Sequence, residues 1–287
     1  MPPDNLDLAD IRRLVIIAMF SDDVLFAQLA LKGGNALNLI YGLGSRSSVD
    51  VDLSLEQDFV DLDDARERIF RALKARFSEV GLRVFDEKFS RRPLQSKVGE
   101  ERWGGYQVEF KLIGEAKYNE MKADPDRARR EALVIGPDNK RVFIVQISKF
   151  EFCQGKVETE LQDYSIFVYT PEMIAIEKLR AICQQMPEYH LRGYSTPRAR
   201  DFYDIHSIVT AGNVNLGTRE SSELIRNIFA VKDVELALLP KIKEYQEFHR
   251  QDWPAVELTV SGDLKPFDFY FNFVVAQTDL LKPLWEK

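Results

Sequence analysis

The chain has 287 residues, 45% of them hydrophobic and 30% charged, a length that admits one large or two modest domains and a composition able to bury a sizeable core. Its 39 Lys and Arg against 46 Asp and Glu leave a formal net charge of −7, which excludes blanket attraction to nucleic acid while leaving room for a local basic groove. Two cysteines exclude a disulfide framework, three dispersed histidines exclude a zinc-like cluster, and the longest early apolar run, "LVIIAMF" at 14–20, is too short to cross a membrane.

Arg12 and Arg13 precede that run, Asp22 and Asp23 follow it, and no small-residue cleavage site appears, so no membrane association and a cytoplasmic protein are expected. Apolar residues at helical spacing over 6–30 predict one or two helices ending in the extended piece "LALK". After Gly33-Gly34, Asn35 reads as the N-cap of a short helix that Gly42 stops. The strict alternation of "VDVDLSL" predicts a strand. "DLDDARERIFRALKARFSEVG" predicts an amphipathic helix with aspartates at its start and Gly81 at its end. Strands are predicted near 82–89, 105–113, 141–147, 155–160 and 165–169, with a helical stretch over 115–132 broken by Pro125. From Thr170 the character turns helical, beginning with a Thr cap and a Pro at the first helical position, and continuing near 198–211, 219–229, 232–248 and 265–285.

Asp50, Asp52 and Ser54 share one face of the predicted strand, and Val49, Val51, Leu53 and Leu55 the other. One reading is a surface strand with its polar face in water. The other starts from the repulsion of two same-face carboxylates, which a divalent cation relieves: carboxylates at this spacing can share Mg²⁺. Glu109, on the alternating "YQVEFKLIG", is the candidate third carboxylate; its plainer role is a solvent-facing partner of Lys111. A Gly-Gly pair opening a helix lets backbone approach a phosphate, so Gly33 and Gly34 are candidate triphosphate contacts.

Gly33-Gly34 followed by Asp50-Val-Asp52 resembles the signature of the DNA polymerase β-type nucleotidyltransferase superfamily. The fuller "LKGGNALNLIYGLGSRSSVDVDLS", with "TPEMIAIEKLRAI" and "RARDFYDIHSIV", is similar to the AbiEii/MenT family of toxin nucleotidyltransferases. The resemblance implies an α+β fold: a polymerase β-type nucleotidyltransferase domain over 1–169, its mixed sheet flanked by helices, then a mostly helical domain over 170–287. It also implies Mg²⁺ on Asp50 and Asp52, with Glu109 completing the metal site or taking the acceptor proton. Nucleotide contacts are implied at Gly33, Gly34, Asn35, Ser48, Lys178 and Asp201, with Asp204 as a catalytic partner of Lys178; the plainer reading of Lys178, Asp201 and Asp204 is an interdomain ion-pair network, a basic helix packed against an acidic one. Lys32 and Arg46 are accessory candidates.

The implied reaction is transfer of a nucleotide from a nucleoside triphosphate to RNA, such as the 3′ end of tRNA, by the toxin of a toxin–antitoxin or phage-defence pair with a cognate antitoxin. Arg91-Arg92, the cluster Arg127, Arg129 and Arg130, and the cluster Arg192, Arg198 and Arg200 are candidate acceptor contacts. Two other classes stay open: a Mg²⁺-dependent nuclease built on the Glu-x-Lys of "VEFK", and a non-catalytic binding protein retaining the fold. A small-molecule acceptor also stays open.

Overall fold

The computed structural model describes residues 6–43, 50–93, 103–121, 124–136, 139–191, 194–260 and 262–286. The chain divides into two compact units, the first taking in the described parts of Met1–Asn35, Ser48–Cys153 and Val157–Val168, the second those of Ala36–Ser47, Gln154–Lys156 and Tyr169–Lys287.

Seven strands among the described residues form the sheet of the first unit: β1 (Leu29–Lys32), β2 (Val51–Leu55), β3 (Leu82–Arg92), β4 (Gly105–Gly114), β5 (Phe143–Ser148), β6 (Val157–Leu161) and β7 (Tyr164–Val168). They lie in the order β3-β4-β5-β2-β1-β7-β6. β2 runs parallel to β5 and β1 parallel to β7, and the other neighbours are antiparallel, so the sheet is mixed. Val51, Leu53 and Leu55 are buried as their alternation predicts. Ser54 is buried too, in register between Ala30 of β1 and Ser148 of β5, so the polar face of β2 is not simply a wet surface.

The helices of this unit are α1 (Leu8–Phe20), α2 (Asp23–Gln28), α3 (Gly33–Asn35), α4 (Leu62–Glu79), α5 (Glu115–Glu120) and α6 (Pro125–Glu131). Asp61 caps α4 by accepting from the backbone N–H groups of Asp63 and Asp64. Ile69, Leu73 and Phe77, four residues apart, then lie on one buried stripe, and Phe77 meets Phe110 of β4 with ring centroids 6.0 Å apart. That contact fixes Val108, Phe110 and Leu112 on the α4 side of the sheet and turns Gln107, Glu109 and Lys111 to the other face. The helical stretch over 115–132 is broken as expected: α5 ends at Glu120, and Pro125 opens α6 with Asp124 as its cap.

The second unit contains a π-helical turn at Ala36–Ile40, α7 (Pro171–Cys183), α8 (Ala199–Ala211), α9 (Arg219–Ala230), α10 (Gln246–Arg250), α11 (Trp253–Glu257) and α12 (Phe267–Asp279). Thr170 caps α7 through its hydroxyl, 3.2 Å from the Met173 nitrogen. Phe202 of α8 stacks on Phe271 of α12 with ring centroids 5.3 Å apart and meets Phe267 edge-on, building an aromatic core. The helix predicted over 232–248 is instead a 3₁₀ run, Leu236–Tyr245, followed by α10. Pro240 has no N–H and blocks an α-helical ladder there.

Candidate active site

β1 delivers the chain to Gly33, whose φ of 68° lies in the left-handed region that glycine adopts without strain. The turn brings Gly33 against β2: a Cβ at Gly33 would stand 2.6 Å from Oδ2 of Asp52 and 3.3 Å from its Cβ. The Asp52 carboxylate therefore points at the Gly-Gly turn, and no other side chain fits at position 33 without displacing it.

Asp50 sits in a bend just before β2. Its Oδ2 accepts a long hydrogen bond from Nε2 of Gln146, 3.4 Å away, and Gln146 is the β5 residue in register with Asp52. Paired residues on neighbouring strands project to the same face, so the two carboxylates lie on one face of the sheet. Lys140 places its Nζ 3.1 Å from Oδ1 of Asp50. The backbone of Asp50 is fixed separately, because Nδ2 of Asn35 donates to its carbonyl at 2.6 Å. Asn35 is buried, at 0% exposure, and ties the glycine turn to the entry of β2; it is neither an N-cap nor an open surface.

Glu109 is on the same face but does not join the pair. It stands opposite Ile144 of β5, and β5 lies between β4 and β2, so about 10 Å of sheet separates it from the Asp50 level. Its carboxylate accepts from Gln107 Nε2 at 2.7 Å and faces Arg92 and Lys88 at 3.7 and 3.9 Å. Among the described residues no three His, Cys, Asp or Glu side chains gather as a metal-holding group, so the expected three-carboxylate cluster is not formed. Lys111 is not its partner either: it bonds Asp86, which also binds Arg129 at 3.0 Å. The Glu-x-Lys pair is thus split between two separate contacts. Lys32 is opposite Asp52 in register, while its Nζ lies 3.5 Å from the buried Glu151. Ser48, Arg46 and Arg192 lie outside the described residues.

Lys178, Asp201 and Asp204 come together within the helical unit. The Lys178 ammonium donates to Asp201 Oδ1 at 2.9 Å and Asp204 Oδ2 at 2.7 Å, and Arg198 bonds the second oxygen of Asp201. Burial alone would push the Lys178 pKa down and that of Asp201 up; the opposed charges outweigh it, raising Lys178 and holding Asp201 well below the usual carboxylate range. This is the ion-pair network that the i, i+3 spacing on α8 permits, and it absorbs Arg198 from the expected basic cluster. Lys140 and Gln146 were not legible as site residues: each reaches Asp50 from a distant segment, with no motif around it.

A sequence profile described as "Nucleotidyl transferase AbiEii toxin, Type IV TA system" matches residues 15–273. No curated protein matches the chain significantly. Among solved structures, a candidate nucleotidyltransferase from Helicobacter pylori is similar over 96% of this chain and 94% of its own, at 15% identity and a TM-score of 0.51. The protein JHP933 from Helicobacter pylori aligns over 96% and 90% of the two chains, at 15% identity and a TM-score of 0.49. At that identity the first likeness speaks for a common α+β fold. The profile spans both the glycine turn with its aspartate pair and the Lys178 network, and on that match the chain belongs to the AbiEii family of nucleotidyl transferase toxins of type IV toxin–antitoxin systems and is a nucleotidyltransferase.

Proposed function

We propose that this nucleotidyltransferase moves a nucleotide from a nucleoside triphosphate to an RNA acceptor, of which the 3′ end of tRNA is the expected class, with Mg²⁺ held by Asp50 and Asp52. The observation that carries this reading is the packing of the Asp52 carboxylate against Gly33, with Asp50 on the same face. Two carboxylates fit Mg²⁺, which commonly takes one or two from the protein and completes its shell with water and substrate phosphate oxygens. Oxygen donors without thiolate or imidazole suit a hard cation. Bound there, Mg²⁺ would supply charge neutralisation and a Lewis-acid hold on the triphosphate.

The chain's own groups do the rest. Asn35 holds the Asp50 backbone, and Gly33 leaves room for the turn to lie against Asp52. Lys140 supplies a cation next to the carboxylates, suited to the negative charge of a triphosphate. Ser48, close to β2 in sequence, is assigned a hydrogen bond to a phosphate oxygen. Lys178, Asp201 and Asp204 are assigned a positioning role within the helical unit, since two carboxylates already hold the ammonium. In the transfer, the acceptor hydroxyl oxygen bonds the α-phosphorus and the bridging P–O bond to the β-phosphate breaks. Pyrophosphate leaves with the electron pair, and the hydroxyl proton passes to solvent. A cognate antitoxin protein is the expected partner of a toxin of this class.

The test is incubation with each labelled triphosphate and total tRNA, with and without Mg²⁺, followed by mass spectrometry of RNA 3′ ends. Mg²⁺-dependent extension by one or more nucleotides is the expected result. Cleaved RNA without added triphosphate would favour the nuclease reading, against which the split contacts of Glu109 and Lys111 already weigh.

A further inference from the structure

The face that carries Asp52 continues across the sheet as an ordered row of polar side chains. Asp52 of β2 is in register with Gln146 of β5, Gln146 with Gln107 of β4, and Gln107 with Ser90 of β3. One level along, Ile144, Glu109 and Lys88 are in register across the same three strands. Arg92 stands two residues beyond Ser90 on that face, and its Nε donates to Gln107 Oε1 at 2.9 Å. Along the row the exposed cations stand on the edge strand β3, the amides of Gln107 and Gln146 lie between, and Asp52 stands on β2; Glu109, a half-buried carboxylate of β4, lies one level along, beside the cations.

Both cations reach solvent. The Lys88 and Arg92 side chains are 67% and 46% exposed, and both stand beyond hydrogen-bond distance of Glu109, whose own side chain is 18% exposed. Gln146 is exposed as well. The ion pairs of Lys88 and Arg92 to Glu109 are long, whereas Arg129 lies 3.0 Å from Asp86 and 2.9 Å from Asp126, and Arg198 bonds Asp201 directly.

We infer that this row is the track of the acceptor: the single-stranded 3′ end of an RNA crosses the sheet face from β3 to β2, with upstream phosphates on Arg92 and Lys88. Base edges or 2′-hydroxyls meet the Gln107 and Gln146 amides, and the terminal hydroxyl arrives at Asp50 and Asp52. Charge complementarity sets the direction, because backbone phosphates belong at the cationic end and the reacting hydroxyl at the carboxylate end. Three strand intervals span about 14 Å, room for a few nucleotides. Amides that both donate and accept suit single-stranded RNA, whose base edges and 2′-hydroxyls are unpaired. Glu109 then has a definite part: it is a positioning residue that holds Gln107 and faces the two cations. The inference rests on the acceptor-RNA reading given above.

The test is fluorescence anisotropy of a labelled single-stranded RNA oligonucleotide with a free 3′-hydroxyl, titrated at several salt concentrations. Wild-type protein is compared with the Lys88→Gln, Arg92→Gln double variant and with Gln107→Ala, the fold of each checked by circular dichroism. The double variant is expected to bind RNA at least tenfold more weakly, and the slope of log K against log salt to fall by roughly 1.4, or 0.7 for each phosphate that is no longer neutralised. Gln107→Ala weakens RNA binding without changing the slope. Triphosphate binding measured by calorimetry without RNA stays within twofold for both. Unchanged RNA affinity and slope in the double variant would overturn the track. A wild type that binds RNA in this way yet transfers no nucleotide leaves the track standing and sinks the enzymatic reading instead.

Discussion

Gly33 and Asp52 are in such close apposition that a single added methyl group on the glycine would fall 2.6 Å from the aspartate Oδ2. The left-handed φ of Gly33 would add roughly 1–2 kcal/mol of backbone strain for any other residue. Gly33→Ala is therefore expected to lower nucleotide transfer at least tenfold by displacing the Asp52 carboxylate, with a modest fall in melting temperature. Full activity in a folded Gly33→Ala protein would mean that this apposition is not needed.

Lys140 reaches Asp50 at 3.1 Å with both side chains about a third exposed. An ion pair this open contributes little to stability, about 0–1 kcal/mol. Lys140→Ala should leave the melting temperature nearly unchanged while raising KM for the triphosphate severalfold. A melting drop without a KM effect would make Lys140 structural.

Lys178 neutralises two carboxylates in the helical unit, where Asp201 is only 2% exposed. Lys178→Ala leaves Asp201 and Asp204 crowded together with Arg198, and should destabilise the fold by about 3–5 kcal/mol in urea denaturation at neutral pH. Lys178→Met combined with Asp204→Leu should recover part of that loss. Equal instability in the single and double variants would show that the network is not what Lys178 stabilises.

His249 is fully buried, with Nδ1 accepting from the Arg198 backbone N–H at 3.1 Å. Burial pushes its pKa down to about 4. An unfolded histidine titrates near 6.5, so between about 6.5 and 4 the unfolded chain takes up a proton that the folded chain refuses. Stability is then fully present above that window and falls with pH through it, by up to roughly 3 kcal/mol. Urea denaturation at several pH values should show this slope in the wild type and a shallower one in His249→Gln. The same slope in both would contradict it.

Local pattern made much of the fold legible. The alternation at 51–55, the aspartates heading α4 and the Thr-Pro start of α7 each work over a few residues, and their elements lie where predicted. Pro240 was harder, because a proline tells where an α-helix cannot run but not what replaces it. The site divides the same way. Gly33, Asp50 and Asp52 are close in sequence, and their grouping could be read from it, whereas the alternation that put Glu109 on a polar face says nothing about lateral strand order. Only the sheet shows β5 standing between Glu109 and the aspartates. Asn35 had the right chemistry for a cap and a better use, a hydrogen bond to the Asp50 carbonyl that spans fifteen positions of chain.

The central claim is that Asp50 and Asp52 together support nucleotidyl transfer. It is tested most directly by label transfer from triphosphate to total tRNA in Mg²⁺, comparing wild type with Asp50→Ala and Asp52→Ala, each verified as folded. The account predicts transfer by the wild type and a loss of about a hundredfold or more in either variant, on the order expected when charge stabilisation of the transition state is removed. Transfer that survives either substitution would contradict it.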